Sequence, residues 1–140
     1  RTCLVGSEMC IRDRYFYFHN CIYETVWKDN KRRSQERFKL HDVINKYSAD
    51  YKVILVGDAT MAPYEITNPG GSIEHWNEEP GIDWLKRLSN HFEKIAWLNP
   101  VPDDHWEYTS SVCLIKDIFE DRMYPLTLRG LENVMGDLSK

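Results

Sequence analysis

The stretch that decides the fold is Tyr51–Ile66, YKVILVGDATMAPYEI. It runs apolar from Val53 to Val56, and Gly57 and Asp58 follow where that run ends. A short β-branched run that ends in a small residue and an acid is typical of a buried parallel strand that delivers a carboxylate to the rim of a sheet. Ligands of open α/β sheets bind outside the carboxyl ends of the strands, so Asp58 is the first candidate site residue.

Strand and helix patterns alternate on both sides of this stretch. Helices are indicated by apolar residues at i, i+3, i+4 and i+7, and strands by short β-branched or aromatic runs. The predicted strands are Tyr15–Tyr23, Lys52–Asp58, Lys94–Asn99 and a short edge strand at Met123–Leu126, and the predicted helices are Phe38–Tyr47, Pro80–His91, Ser110 or Ser111 to Phe119, and Thr127–Leu138. We therefore predict an α/β fold with a doubly wound, Rossmann-like, mostly parallel sheet between two layers of helices.

Some side chains are predicted to be buried by this arrangement. On the last helix, which Thr127 can cap, the predicted buried face consists of Leu128, Leu131, Val134, Met135 and Leu138. Cys21 and Cys113 are predicted to be small buried apolar residues.

Composition limits the classes of function. The chain has 140 residues, which is enough for one domain with a core. Its formal net charge of −4 argues against a partner that is a nucleic acid or an anionic membrane. No apolar run approaches the ~18–20 residues of a membrane span. The four cysteines show no paired metal spacing, which favours free thiols and a cytoplasmic location.

A long loop follows the candidate strand and extends to Glu79. Loops of this length inside a compact domain are often functional. Thr60 either orients Asp58 or makes a turn, and Tyr64 and Glu65 either face a partner or pack locally. Asn99 ends the next strand, so we expect it near Asp58, where its amide can tie the two loops together by hydrogen bonds.

An enzyme is the rival hypothesis. Asp58 with His75 and Glu78 on the following loop would supply acid and base groups for a small α/β hydrolase-like enzyme. The sequence has no nucleophile elbow, no phosphate-cradling glycine loop and no known Cys-His pattern. We therefore favour a binding module without catalysis.

Five segments carry a resemblance to a known family. They are FYFHNCIYETVW (16–27), YKVILVGDATMAPYEI (51–66), GGSIEHWNEEPGIDWL (70–85), IAWLNPVP (95–102) and MYPLTLRGLE (123–132). Together they resemble the carboxyl-terminal part of bacterial von Willebrand factor A domain proteins of the CoxE-like group, over about Tyr15 to Leu138. The resemblance implies a doubly wound α/β domain that binds a protein partner through a divalent metal, usually Mg²⁺, at the strand ends. It also implies a MoxR-type AAA+ ATPase as partner, in the maturation of other proteins or the loading of metal into them.

The metal site implied by the resemblance is incomplete here. The family uses an Asp-x-Ser-x-Ser motif, a Thr and an Asp from three loops, because a hard cation prefers oxygen ligands. The first motif is absent, and the segment expected to hold the Thr reads ERFKLHDV (36–43). Asp58 matches the third group. We therefore expect a domain truncated at its N-terminal side, with Tyr15–Tyr23 as the family's third strand, that does not bind Mg²⁺ by itself.

The first fourteen residues are predicted to differ in origin from the rest of the chain. Within Arg1–Arg14, the sequence LVGSEMCIRDR resembles translated sequencing-adapter read-through, and we expect this segment to be non-native. The alternative is a genuine strand at Cys3–Val5 followed by a short helix. Without the family's first two strands, the strand Val53–Val56 is expected to have an unpaired edge, or to pair there with Tyr15–Tyr23.

Overall fold

The computed structural model describes residues 16–18, 21–27, 37–69 and 78–140, and the backbone of residues 2–5 and 15. Strands and helices alternate through these ranges. The elements are β1 (Thr2–Val5), β2 (Tyr15–Phe16), β3 (Thr25–Trp27), β4 (Arg37–Lys39), α1 (Leu40–Lys46), β5 (Lys52–Val56), α2 (Pro63–Thr67), α3 (Gly81–His91), β6 (Lys94–Asn99), a 3-10 helix (Asp103–Tyr108), α4 (Ser110–Ile118), β7 (Met123–Pro125) and α5 (Leu128–Leu138). No helix in these ranges is long and apolar enough to cross a membrane.

The main sheet has five parallel strands in the order β2-β1-β5-β6-β7. A separate antiparallel ribbon is formed by β3 and β4. The chain is therefore an α/β protein with a parallel sheet and flanking helices, as the alternating patterns predicted, and this architecture is compatible with a Rossmann-like fold. The predicted strand Lys94–Asn99 is confirmed, and the predicted edge strand at 123–126 is present as β7, last in the sheet order.

Two apolar cores lie on opposite faces of the sheet, because successive side chains of a strand point to opposite faces. The larger core contains Val53, Leu55, Ile95 and Trp97 together with residues of α1, α3 and α4. The smaller core contains Ile54, Ala96 and Leu98 with Val134 and Leu138 of α5. Burial on both faces explains why β5 and β6 read as nearly continuous apolar runs.

The N-terminal half differs most from the prediction. Of the strand predicted at Tyr15–Tyr23, the main sheet contains only Tyr15–Phe16, because Tyr17 leaves the sheet and pairs with Trp27 in an antiparallel bridge. Ile22 and Tyr23 do not belong to a strand, and residues 19 and 20 lie outside the described residues. The predicted helix at Phe38–Tyr47 begins two residues later, since Phe38 belongs to β4. Both errors have one cause. The β3–β4 ribbon pairs segments that are distant in sequence, and local periodicity does not detect such pairing.

The strand β5 has a paired neighbour on each side. Thr2–Val5 pairs with one edge and β6 pairs with the other, both in parallel. The expectation of an unpaired edge is therefore wrong, and Tyr15–Phe16 lies beyond β1 rather than next to β5. The alternative of a strand at Cys3–Val5 is the one observed, and the helix suggested after it lies outside the described residues. The non-native origin of residues 1–14 stays a prediction, as does the truncation of the domain.

The last helix packs through a narrower face than predicted. Thr127 caps it as expected, with the Gly130 amide donating to Thr127 Oγ1 at 3.0 Å. The residues that it buries are Gly130, Val134 and Leu138. Leu128, Leu131 and Met135 were predicted to be buried and are instead exposed. The helix approaches β7 through the face that carries Gly130. The described residues leave the apolar side chains of Leu128, Leu131 and Met135 uncovered.

Cys21 and Cys113 have different surroundings. Cys21 is buried as predicted, and burial raises the pKa of its thiol to about 12. A thiolate does not form there near neutral pH, so this side chain serves as a small apolar residue. Cys113 was also predicted to be buried, but it is exposed on α4.

Candidate functional site

The candidate site lies at the carboxyl end of β5, where the loop beginning at Gly57 leaves the sheet. Three side chains from neighbouring elements hold three successive carbonyl oxygens of this loop. The hydrogen bonds run from Trp97 Nε1 to Gly57 O (2.7 Å), from Asn99 Nδ2 to Asp58 O (3.0 Å) and from Ser111 Oγ to Ala59 O (2.7 Å). The path of the loop is thus fixed by contacts with β6 and α4.

Ala59 bends the loop sharply. Its φ of 57° lies in the left-handed region, which costs a residue with a Cβ about 1–2 kcal/mol. The Ala59 side chain is buried, whereas Asp58 beside it is exposed. Such backbone strain persists when the surroundings over-determine the conformation, and it occurs often at functional sites. The three hydrogen bonds to the loop supply that constraint here.

One of the two oxygens of the Asp58 carboxylate accepts a hydrogen bond. Its Oδ1 accepts a hydrogen bond from the Thr60 amide at 3.0 Å, and Thr60 Oγ1 donates to Asp58 O at 3.2 Å. Thr60 therefore makes the turn and orients the carboxylate at the same time. Within the part of the chain that the structure describes, Oδ2 accepts no hydrogen bond. This oxygen is presented to solvent on a preorganised loop.

Asn99 is the buried link between two loops. Its side chain is fully buried, with Nδ2 donating to Asp58 O and Oδ1 accepting from the Val101 amide at 2.9 Å. The predicted tie between the loops is therefore present. Because the side chain is inaccessible, Asn99 acts as a positioning residue and does not itself contact a partner.

Tyr64 and Glu65 lie on the short helix α2, inside a loop that was predicted to lack secondary structure. Tyr64 is 45% exposed and can face a partner. Glu65 is buried, and its Oε2 accepts a hydrogen bond from the Ala62 amide at 3.0 Å. The Tyr23 hydroxyl donates to Glu65 O. Glu65 thus fixes α2 and does not face outwards; Pro63, the first residue of the helix, is the signal that could have predicted it.

The strand-end rim also includes a 3-10 helix that the sequence patterns missed. Asp103–Tyr108 follows the carboxyl end of β6, and Trp106 anchors it by burying its ring and donating from Nε1 to Val101 O at 2.8 Å. Its exposed residues are Asp103, Asp104, His105, Glu107 and Tyr108. With Asp58 exposed at the neighbouring strand end, this rim carries mostly negative charge.

Few oxygen ligands are available near Asp58 for the Mg²⁺ that the resemblance implies. Mg²⁺ requires about six oxygen ligands in octahedral geometry. No group of three or more His, Cys, Asp or Glu side chains that could hold a metal ion occurs among the described residues. Asp58 offers one carboxylate, and the Thr60 and Ser111 hydroxyls are already engaged with the loop backbone. These residues therefore do not by themselves fit a complete Mg²⁺ site.

The residues of the enzyme hypothesis are only partly described. His75 lies outside the described residues. Glu78 is exposed, and its amide donates to Glu24 Oε1 at 2.9 Å, which ties this segment to the chain before β3. Among the described residues, no hydrogen bond joins Glu78 to Asp58.

Ser111 is a site-supporting residue that the sequence suggested only as a possible helix cap. Besides donating to Ala59 O, its Oγ accepts from the Met61 amide at 3.1 Å. Ser111→Ala is expected to lower the free energy of unfolding by about 1–3 kcal/mol, because the buried Ala59 carbonyl and the partly buried Met61 amide lose their partner. The neighbouring exposed Ser110 is the matched control, and Ser110→Ala should stay within about 0.5 kcal/mol of wild type. Urea unfolding of both variants measures the difference; equal stabilities would contradict the assigned role of Ser111.

The fold and the rim together define an α/β protein whose parallel sheet presents an exposed carboxylate on a rigid strand-end loop. Comparison of the chain with family models, with curated proteins and with solved structures gives no match. The resemblance to von Willebrand factor A domains therefore rests on the sequence segments quoted above.

Proposed function

We propose that the chain is a non-catalytic protein-binding module of the von Willebrand factor A type, CoxE-like group, which contacts its partner through the strand-end rim. The observation that carries the proposal is the Asp58 carboxylate, exposed at the end of β5 on a loop held by three side-chain hydrogen bonds. A carboxylate fixed in this way binds without a large cost of ordering the loop. Its exposure also favours a binding surface over the enclosed site of a hydrolase-like enzyme.

In this proposal Mg²⁺ is bound by the intact parent domain. The described residues supply one carboxylate of the set that Mg²⁺ needs, so further oxygen ligands would have to come from loops upstream of the segment that resembles the family. In such a site Asp58 would be one of the ligands, and the metal would supply positive charge for an acidic group of the partner. The residues of this chain orient the carboxylate through Thr60 and keep the loop in place through Asn99.

The proposed partner is a protein, specifically a MoxR-type AAA+ ATPase in the cytoplasm. The role of the pair would be the maturation of other proteins or the loading of metal into them. Tyr64 and Tyr108, exposed on α2 and on the 3-10 helix, are suited to flank such a contact, because tyrosine combines apolar area with a polar tip.

Asp58→Asn tests this proposal most directly. Asparagine keeps the Oδ1 acceptor for the Thr60 amide and removes the negative charge, so we expect binding to weaken by at least about tenfold, or about 1.4 kcal/mol, while the domain stays folded. The measurement is calorimetric titration of the parent protein with the MoxR-type ATPase of the same organism, with and without Mg²⁺. Asp117→Asn, which neutralises an exposed carboxylate of α4, is the control. Unchanged affinity in Asp58→Asn would remove Asp58 from the contact surface.

A further inference from the structure

A groove runs along α1, away from the loop that presents Asp58. It has a volume of about 360 Å³, within the range of roughly 300–1,000 Å³ that small-molecule sites occupy. Its walls come from β2, from β4 and from the exposed side of α1. We name it the α1 groove and propose that it binds a small organic anion with an aromatic or alkyl body.

The floor of the α1 groove is apolar and already ordered. Phe16 and Tyr47 are both 7% exposed, and the buried Val43 of α1 lines the groove with them. Phe38 forms one wall and packs edge-to-face on Phe16, with ring centroids 5.6 Å apart. Phe38 is 42% exposed, although its ring packs on the buried Phe16. A flat apolar body in the groove would remove this ring from water without rearranging the floor.

The rim of the groove is positively charged. Lys39, Asp42 and Lys46 lie on one stripe of α1 and the residue before it, at spacings of three and four, and Arg37 adds a third cation from β4. All four side chains belong to exposed residues. Among the described residues, no carboxylate lies within ion-pair distance of any of the three cations.

Charge decides which class of ligand the groove takes. The chain as a whole has a formal net charge of −4, which disfavours the approach of anions. Lys46 Nζ lies 5.8 Å from the centroid of the Tyr47 ring, and none of the three cations has an ion-pair partner among the described residues. Three cations against one carboxylate at the groove reverse that preference locally, since a concave site focuses the field of its charges. An acidic group would be held by Arg37, Lys39 and Lys46, and the apolar body would lie on Phe16 and Phe38.

Volume decides the size of the ligand. A space of 360 Å³ corresponds to about a dozen water molecules at liquid density. A two- or three-ring aromatic acid, or an alkyl acid of similar bulk, fills this space. The groove shares no lining residue with the loop of Asp58, so ligand binding in the groove is independent of the proposed function.

The test uses two fluorescent probes that differ in charge. Anilinonaphthalene sulfonate is an aromatic anion, and phenylnaphthylamine has the same ring system without the sulfonate. We expect the full chain to bind the sulfonate with saturation at one molecule per chain. The double variant Lys39→Glu/Lys46→Glu should weaken sulfonate binding at least about tenfold and change phenylnaphthylamine binding much less.

The control is a second double variant with the same change of net charge at positions outside the α1 groove. Lys86→Glu/Arg129→Glu places both substitutions on exposed residues of α3 and α5, outside the groove, and should leave sulfonate affinity within about twofold, since distant exposed charges are screened by salt. Loosening of the fold cannot imitate the expected loss, because partly unfolded chains bind more of this dye. Absence of saturable sulfonate binding to the wild type, or an equal loss in the two double variants or for the two probes, would overturn the proposal.

Discussion

Replacing Gly130 by alanine is expected to lower the free energy of unfolding by about 3 kcal/mol or more. A Cβ built at this position lies 1.8 Å from Pro125 O and 2.9 Å from Pro125 C, and these atoms belong to the backbone. Pro125 cannot move aside easily, because it is in register with Asn99 in the sheet and its carbonyl accepts a hydrogen bond from the Thr127 amide at 2.9 Å. The helix α5 would have to shift away, and overpacking against a rigid neighbour is destabilising.

Gly136 provides the control within the same helix. A Cβ at Gly136 meets nothing within 4 Å, so alanine there gains helix propensity without a clash. Gly136→Ala should therefore raise the free energy of unfolding by about 0.5–1 kcal/mol. Urea unfolding of both variants should give shifts of opposite sign; a Gly130→Ala variant as stable as wild type would show that α5 does not approach β7 as closely as described.

Replacing Asn99 by aspartate is expected to make stability depend strongly on pH. A protonated aspartic acid can keep two of the hydrogen bonds of Asn99, donating to Asp58 O and accepting from the Val101 amide, and it loses the third, from Nδ2 to Met123 Sδ at 3.7 Å. The ionised form would place a buried negative charge against the Asp58 carbonyl oxygen, so its pKa in the folded state should rise above the unfolded value of about 3.9. Stability is then fully present below that value and is lost as pH rises through the folded pKa. We expect a deficit of about 2–4 kcal/mol relative to wild type at pH 7.

Asn133→Asp is the matched comparison for this experiment. Asn133 is exposed in the middle of α5, so the same chemical change should cost less than about 0.5 kcal/mol and show little added dependence on pH. The quantity to compare is the difference in free energy of unfolding between each variant and wild type, at pH 4 and pH 7. An Asn99→Asp deficit that is the same at both pH values would mean that the introduced carboxyl group reaches water.

The parts of the fold predicted from the sequence are those that local pattern determines. The strands β5 and β6 are short apolar runs with polar ends, and α3 has its apolar stripe between Pro80 and His91. For each of these elements the local preference and the tertiary environment agree. The exposed position of Asp58 follows from the same logic, since the carboxyl end of a central strand opens onto the rim of the sheet.

The remaining features depend on contacts between distant parts of the chain. Tyr23 reaches the Glu65 carbonyl across 42 positions of sequence, and Ser111 reaches the Ala59 carbonyl across 52. Neither contact leaves a periodic signal in the sequence. The same limit applies to the β3–β4 ribbon, where the exposed Phe38 looked like part of a helix because its neighbours on α1 have helical spacing.

The way the loop after β5 is held has a consequence for how the protein can change. Trp97, Asn99 and Ser111 bind main-chain oxygens, which every amino acid possesses, and not the side chains of the loop. Positions 58 and 60 add only the local hydrogen bonds of their turn, so other turn-forming residues can replace them while the route of the chain is retained, provided that position 59 stays small. Recognition is thereby separable from architecture, so evolution or a combinatorial library can retarget this rim without redesigning the domain beneath it.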